Sequence, residues 1–193
     1  MNISAVLLAG GESCRMGEDK ATLLFRGEPL WQVQLDLLRK LEPAEILISA
    51  RIDPVWRPNE YEFVPDDPPS RGPLSGLAAA LARIRTKHVL GLAIDMPFMK
   101  EKYLRSLCEW IEPSCGVLPK IGNRAEPLAA IFPAETRMDF AKALTGANFS
   151  LQQLTERLAN AGRLRVVPVE DRDVELFHNL NEPDDLICAW PAI

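Results

Sequence analysis

The sequence predicts an α/β fold with helices packed around a mainly parallel sheet. Short, continuous apolar runs recur along the chain, as in strands covered on both faces. Between them, apolar residues repeat at helical spacing, and the alternation has the rhythm of βαβ units. At 193 residues and 47% hydrophobic content, one domain spanning 1–193 is expected. A chain of that size can bury a full core without disulfide or metal support.

The run at 3–9 is the first strand. Pro29 stands where a helix can begin, and Trp31, Leu35 and Leu38 repeat on one helical face. "EILISA" at 45–50 is a second strand, and "YEFVPDD" at 61–67 a third, stopped by two prolines. Leu74, Leu77, Ala78 and Leu81 mark the next helix. "VLGLAID" at 89–95 is a fourth strand, and Leu104, Leu107, Cys108 and Ile111 form a third helical face. Beyond Cys115 the rhythm changes. "CGVLP" and "PLAAIF" are two short apolar runs that suggest a hairpin across "KIGNRAE". Helices around 138–144 and 151–158 follow, then a late strand in "RLRVVPVE" and a last helix opening at Pro183.

Composition narrows the function classes. A net charge of −5 argues against a nucleic-acid coat or a membrane-surface binder. Cys14, Cys108, Cys115 and Cys188 contain no C-x-x-C pair, and His88 and His178 are far apart. That pattern indicates neither a zinc site nor a disulfide framework and suits a reducing cytosol. The run at 3–9 lacks a basic segment before it, and no run has membrane-spanning length. A soluble, cytoplasmic protein with no nucleic-acid or membrane partner is expected.

Ligands of such sheets bind outside the carboxyl ends of the strands, which directs attention to the segments following them. The first reads "AVLLAGGESCRMGEDK". It matches neither the P-loop nor the dinucleotide fingerprint, since no Ser or Thr follows the lysine and G-x-G-x-x-G is absent. The ingredients of anion binding are nevertheless present. Gly10, Gly11 and Gly17 let the backbone approach closely, and Arg15 and Lys20 can neutralise phosphate oxygens. The same residues would also serve as a plain glycine turn with solvated cations.

Asp95 ends the fourth strand in "LAIDMPF". A carboxylate there can hold Mg²⁺, which takes one or two carboxylates together with substrate phosphates. Alternatively it caps the helix near 100–103. In "DDPPSRGPLSG", Asp66 and Asp67 precede a helix whose first turn suits Pro73. A carboxylate beside that helix mouth can accept from the N1–H and exocyclic amine of a guanine, or the segment is a rigid acidic surface loop. Glu126-Pro127 and the pair Asn179 and Asn181 are polar groups among apolar neighbours. Asn181 also suits the cap of a helix at Pro183.

Together, "LLAGGESCRMGEDKATL", "GEPL", "DDPPSRGPLSGL", "IDMPF", "EPLAAIF" and "NLNEPDDL" resemble, in order, the motifs of the molybdenum cofactor guanylyltransferase family. They reach from residue 7 to about 186, nearly the whole chain. The resemblance implies a nucleotidyltransferase with a three-layer α/β/α sandwich and a Rossmann-like, glycosyltransferase-A-like sheet. It implies a nucleotide-binding half at about 1–98 and a cofactor-side half at about 99–193. The family joins GMP from GTP to molybdopterin-type cofactor with Mg²⁺ and releases pyrophosphate.

By position, Leu8, Ala9 and Gly10 would lie on the nucleotide and Gly11 near its base, with Arg15 and Lys20 on the phosphates. Asp66 would help bind GTP, Asp95 would hold Mg²⁺, and Asn179 and Asn181 would face the cofactor substrate. Transient contact with molybdenum-cofactor insertion proteins or acceptor enzymes is a further expectation. Cys14 stands where the family often has Ser or Thr, and Glu182 where its last motif usually has Thr. After the second strand the family can show an asparagine on the nucleotide, but this chain reads "SARID", so Arg51 is left out of the site. The rival readings are a molybdopterin cytidylyltransferase, a sugar-nucleotide pyrophosphorylase and a non-catalytic nucleotide sensor or cofactor-delivery adaptor. The glycine at position 11 favours the larger purine over cytosine.

Overall fold

The computed structural model describes residues 2–10, 19–66 and 69–180. The chain opens with β1 (Ser4–Leu8), all five residues of which are buried. A short 3-10 helix (Lys20–Thr22) leads into β2 (Leu24–Phe25) and β3 (Glu28–Pro29). These two form a small antiparallel pair whose turn residues, Arg26 and Gly27, both have positive φ, as the tightest hairpin turns require. Sequence periodicity does not reveal strands of two residues.

Helix α1 (Leu30–Lys40) follows directly, with Pro29 as its extended N-terminal cap residue. Next come β4 (Glu45–Ala50), β5 (Glu62–Pro65), α2 (Pro73–Arg83), β6 (His88–Ala93) and α3 (Glu101–Cys108). The second half holds β7 (Gly116–Ile121), β8 (Arg124–Ala125), β9 (Ala129–Pro133), α4 (Arg137–Thr145), α5 (Leu151–Asn160) and β10 (Leu164–Pro168). A 3-10 helix at Asp171–Phe177, which the sequence pattern did not signal, closes the described chain. The helix expected at Pro183 lies outside the described residues.

The eight-stranded sheet has the order β10-β7-β9-β6-β1-β4-β5, with β8 paired to β7. β1 runs parallel to both β4 and β6, β4 to β5, and β10 to β7. β9 is antiparallel to both β6 and β7. The expected hairpin therefore exists as the β7/β9 pairing, and β8 adds a tight turn at Gly122, where φ is +55°.

Alternation along β1 sends Ala5 and Leu7 into one apolar cluster and Val6 and Leu8 into the other. The first cluster contains α1 and α3 residues such as Leu35, Leu38 and Leu104. The second contains Leu74, Leu77 and Leu81 of α2, Phe140 of α4 and Leu154 of α5. Helices thus cover both faces of a mostly parallel sheet, and the expected three-layer α/β/α architecture is what the chain adopts. No helix among the described residues is long and apolar enough to cross a membrane.

Candidate functional site at the carboxyl edge of the sheet

Backbone pairing continues past the strand ends and fixes where the loops emerge. The Ala9 amide donates to the Ser49 carbonyl at 2.8 Å, Asp66 N–H to Ala50 at 3.0 Å, and Ile94 N–H to Leu8 at 3.1 Å. Leu8, Ala9, Gly10, Asp66 and Asp95 therefore leave the sheet along one edge, the carboxyl ends of adjacent parallel strands. This is where open α/β sheets bind ligands.

Asp66 is only 7% exposed. Ser49 Oγ donates to its Oδ1 at 2.8 Å and Ser70 Oγ to its Oδ2 at 3.1 Å. Gly10 packs directly against this carboxylate: a β-carbon on Gly10 would stand 2.8 Å from Asp66 Oδ2. Gly76, on α2, closes the other side, where a β-carbon would stand 2.9 Å from both Ser49 Oγ and Leu8 Cδ2. Pro73 occupies the first position of α2 after Gly72, as the sequence suggests. Gly72 has φ +65° and ψ −146°, a conformation open essentially to glycine alone. Asp66 is thus largely buried, unlike a residue of a solvated surface loop.

Across the edge, Lys20 Nζ lies 2.8 Å from Asp95 Oδ2, both side chains being about one-fifth exposed (21% and 19%). The backbone carrying Lys20 is held firmly. Asp19 caps the short helix by accepting the Ala21 N–H at 3.0 Å, and its other oxygen accepts Trp56 Nε1–H at 3.0 Å. Trp56 in turn stacks on Trp31, with ring centroids 5.6 Å apart. Asp95 sits in a turn two residues beyond β6, and the residue capping α3 is Lys100, so the helix-capping role considered for Asp95 does not apply.

The chain end approaches the same place. Leu180 N–H donates to the Asp95 carbonyl at 2.9 Å. The preceding Asn179 keeps a buried Oδ1 with no hydrogen-bond partner among the described residues. A buried acceptor without a partner is costly, and a donor from a bound ligand would satisfy it. Glu126 lies beyond β8, its N–H donating to the Pro119 carbonyl at 2.8 Å. Burial raises the pKa of its carboxyl above the ordinary value, opposed by nearby Arg124.

The structure thus gathers Leu8, Ala9, Gly10, Lys20, Asp66, Asp95 and Asn179 along one edge. Gly11, Arg15 and Asn181 lie outside the described residues. Sequence reasoning missed Ser49, Ser70 and the Asp19–Trp56 brace. Ser49 did leave a signal, as the one hydroxyl in the otherwise apolar interior of "EILISA". The tryptophan brace joins residues 37 apart and left none.

Comparison with known proteins places the chain in a family. Residues 5–173 match the MobA-like NTP transferase domain. A relative from Opitutus terrae named probable molybdenum cofactor guanylyltransferase is 32% identical over 95% of this chain and 92% of its own length. The molybdenum cofactor guanylyltransferase of Xanthomonas euvesicatoria is 31% identical over 94% and 90%. The crystal structure of molybdopterin-guanine dinucleotide biosynthesis protein A from Archaeoglobus fulgidus superposes with a TM-score of 0.80. It is 26% identical and covers 97% of this chain and 96% of its own. The 2-C-methyl-D-erythritol 4-phosphate cytidylyltransferase of Thermus thermophilus, 20% identical with a TM-score of 0.71 and covering 98% and 97%, shares the fold. With a domain match over most of its length and relatives above 30% identity along nearly all of it, the chain belongs to the MobA-like NTP transferases, in the molybdenum cofactor guanylyltransferase family.

Proposed function

We propose that this protein transfers GMP from GTP to a molybdopterin-type cofactor and releases pyrophosphate. The observation that carries the reading is the 2.8 Å Lys20–Asp95 pair at the carboxyl edge of the sheet, beside a carboxylate cradled by Gly10. The names of the relatives support it. In the reaction, a phosphate oxygen of molybdopterin attacks the α-phosphorus of GTP as the bond to the β-phosphate oxygen breaks. The nucleophile is already ionised at neutral pH, so no side-chain base is required.

Catalysis then rests on positioning and charge neutralisation. Leu8, Ala9 and Gly10 offer backbone against the nucleotide, with Gly11 beside the base, and Asp66 accepts from the guanosine. Lys20 and Arg15 balance charge on the departing pyrophosphate. Asn179 and Asn181 face the cofactor substrate, the buried Oδ1 of Asn179, without a partner among the described residues, being able to accept a donor. Asp95 would hold Mg²⁺. A carboxylate that already attracts an ammonium group suits a hard divalent ion, which needs only one or two carboxylates when phosphates supply the rest. The ion would polarise phosphate oxygens and offset their charge.

The nucleotide half is assigned to about 1–98 and the cofactor half to about 99–193. A cytoplasmic setting suits the chemistry, with transient hand-over to cofactor-insertion proteins or acceptor enzymes. The test is to incubate the protein with Mg²⁺, molybdopterin and each of GTP, CTP, ATP and UTP, and to measure pyrophosphate. Release with GTP is expected. Release with CTP alone would make the protein a cytidylyltransferase, and GTP binding without release would make it a sensor or adaptor.

A further inference from the structure

Ser49 belongs to the edge of β4 nearest the site and is 1% exposed. It shares its sheet face with Leu47, which packs with α2 in the second apolar cluster. A hydroxyl buried there is unfavourable unless it is hydrogen-bonded. Its partner is Asp66 Oδ1 at 2.8 Å, on the neighbouring strand's exit. Room for the hydroxyl exists because position 76 is glycine: any larger residue would bring a β-carbon to 2.9 Å from Ser49 Oγ. Three elements, β4, the end of β5 and α2, therefore cooperate to fix one carboxylate.

The donors are informative in kind. Among the described residues, Asp66 accepts from two hydroxyls, one on each oxygen. An ionised carboxylate offers about four lone-pair sites, so two hydroxyls orient it without using them all. Two parallel acceptor sites match a ligand edge with two adjacent N–H donors, the geometry that makes bidentate carboxylate contacts specific. A guanine presents such an edge in its N1–H and 2-amino group.

We propose that Ser49 is a positioning residue for nucleotide choice: its hydroxyl locks the Asp66 carboxylate so that the free lone pairs meet the N1–H and 2-amino group of guanine. The inference rests on the GTP reading above. It makes Ser49 a determinant of base discrimination acting through Asp66, not a group that touches the ligand.

The experiment is calorimetric binding of GMP, IMP and CMP to the full chain and to its Ser49→Ala, Ser49→Thr and Asp66→Asn variants. IMP keeps the N1–H but lacks the 2-amino group. Wild type is expected to bind GMP at least about tenfold more tightly than IMP, and Ser49→Ala to lose about tenfold in GMP affinity. IMP affinity should fall less, so that the GMP/IMP ratio narrows in Ser49→Ala as it does in Asp66→Asn. Ser49→Thr, which keeps the hydroxyl, should preserve the ratio. An unchanged GMP/IMP ratio in Ser49→Ala overturns the inference, as does equal binding of GMP and IMP by wild type. If wild type prefers CMP to GMP, the guanylyl reading fails and this inference falls with it. If wild type prefers GMP and Ser49→Ala is unaffected, only this inference fails.

Discussion

Lys20 and Asp95, 75 positions apart in sequence, meet at 2.8 Å. The contact joins the segment leaving the first loop to the turn after β6, and β1 and β6 are parallel neighbours. A cation and a carboxylate held together at the carboxyl edge of the sheet would suit a charged ligand. Asp95→Asn is expected to lower GMP transfer by about 10²–10³, as loss of one electrostatic contact to the reacting phosphates commonly does. Its melting temperature should stay near wild type, because partly exposed ion pairs add little to stability. Pyrophosphate release and a thermal melt measure the two effects. Wild-type turnover in this variant would remove Asp95 from the site.

Lys20→Ala separates phosphate handling from guanosine binding. GTP affinity should fall clearly while guanosine affinity stays within about twofold, since a point charge near phosphates contributes little beyond a screening length. Calorimetry with both ligands checks it, and equal losses would contradict the assignment.

Gly10→Ala should disturb Asp66 more than the fold. The added carbon would lie 2.8 Å from Asp66 Oδ2 but at an ordinary 3.5 Å from Ala50 Cα. The carboxylate must therefore move, against two hydroxyl partners. GTP binding should weaken by about tenfold, the value of one hydrogen bond to a charged group. Binding equal to wild type would show that the Asp66 position is not used.

Gly72→Ala tests the backbone alone. Nothing stands within 4 Å of a β-carbon there, yet φ is +65° with ψ −146°. A cost of about 1–3 kcal/mol is expected from this conformation, read by denaturant unfolding. An unchanged midpoint would mean that the turn relaxes freely.

The pH dependence of stability should carry a signature of His88. Burial lowers its pKa from the ordinary 6.5, with Lys87 adding to that shift and the Cys115 and Glu112 backbone and Glu135 opposing it. The ring also keeps a buried Nε2 without a partner among the described residues. The unfolded chain therefore binds the proton more readily. Stability from this group is fully present above pH 6.5 and is lost as pH falls through the lower folded value. Denaturation midpoints across pH 5–8 should show the decline, and His88→Gln should flatten it.

Much of the architecture was legible because periodicity is a local property. The run at 3–9 became β1, buried at every position, and the face of Leu74, Leu77 and Leu81 became the inner side of α2. The two-residue strands β2 and β3 were not legible, since four residues carry no period and their turn depends on the positive φ of Arg26 and Gly27. At the site, Asp66 and Asp95 could be read as strand-end carboxylates. Their partners could not, because Ser49 lies 17 positions from Asp66 and Trp56 lies 37 from Asp19.

By itself, then, the sequence determined the alternation of strands and helices, the edge at which chemistry-bearing residues emerge, and the family. Those follow from apolar spacing, strand-ending residues and ordered motifs, all written along the chain. Only the tertiary structure decided that β9 inserts antiparallel between β6 and β7, that Lys20 faces Asp95, and that Asp66 rests on Ser49 against Gly10. Such pairings depend on how the crossovers close and how the two apolar faces pack, and neither is carried by any short stretch of residues.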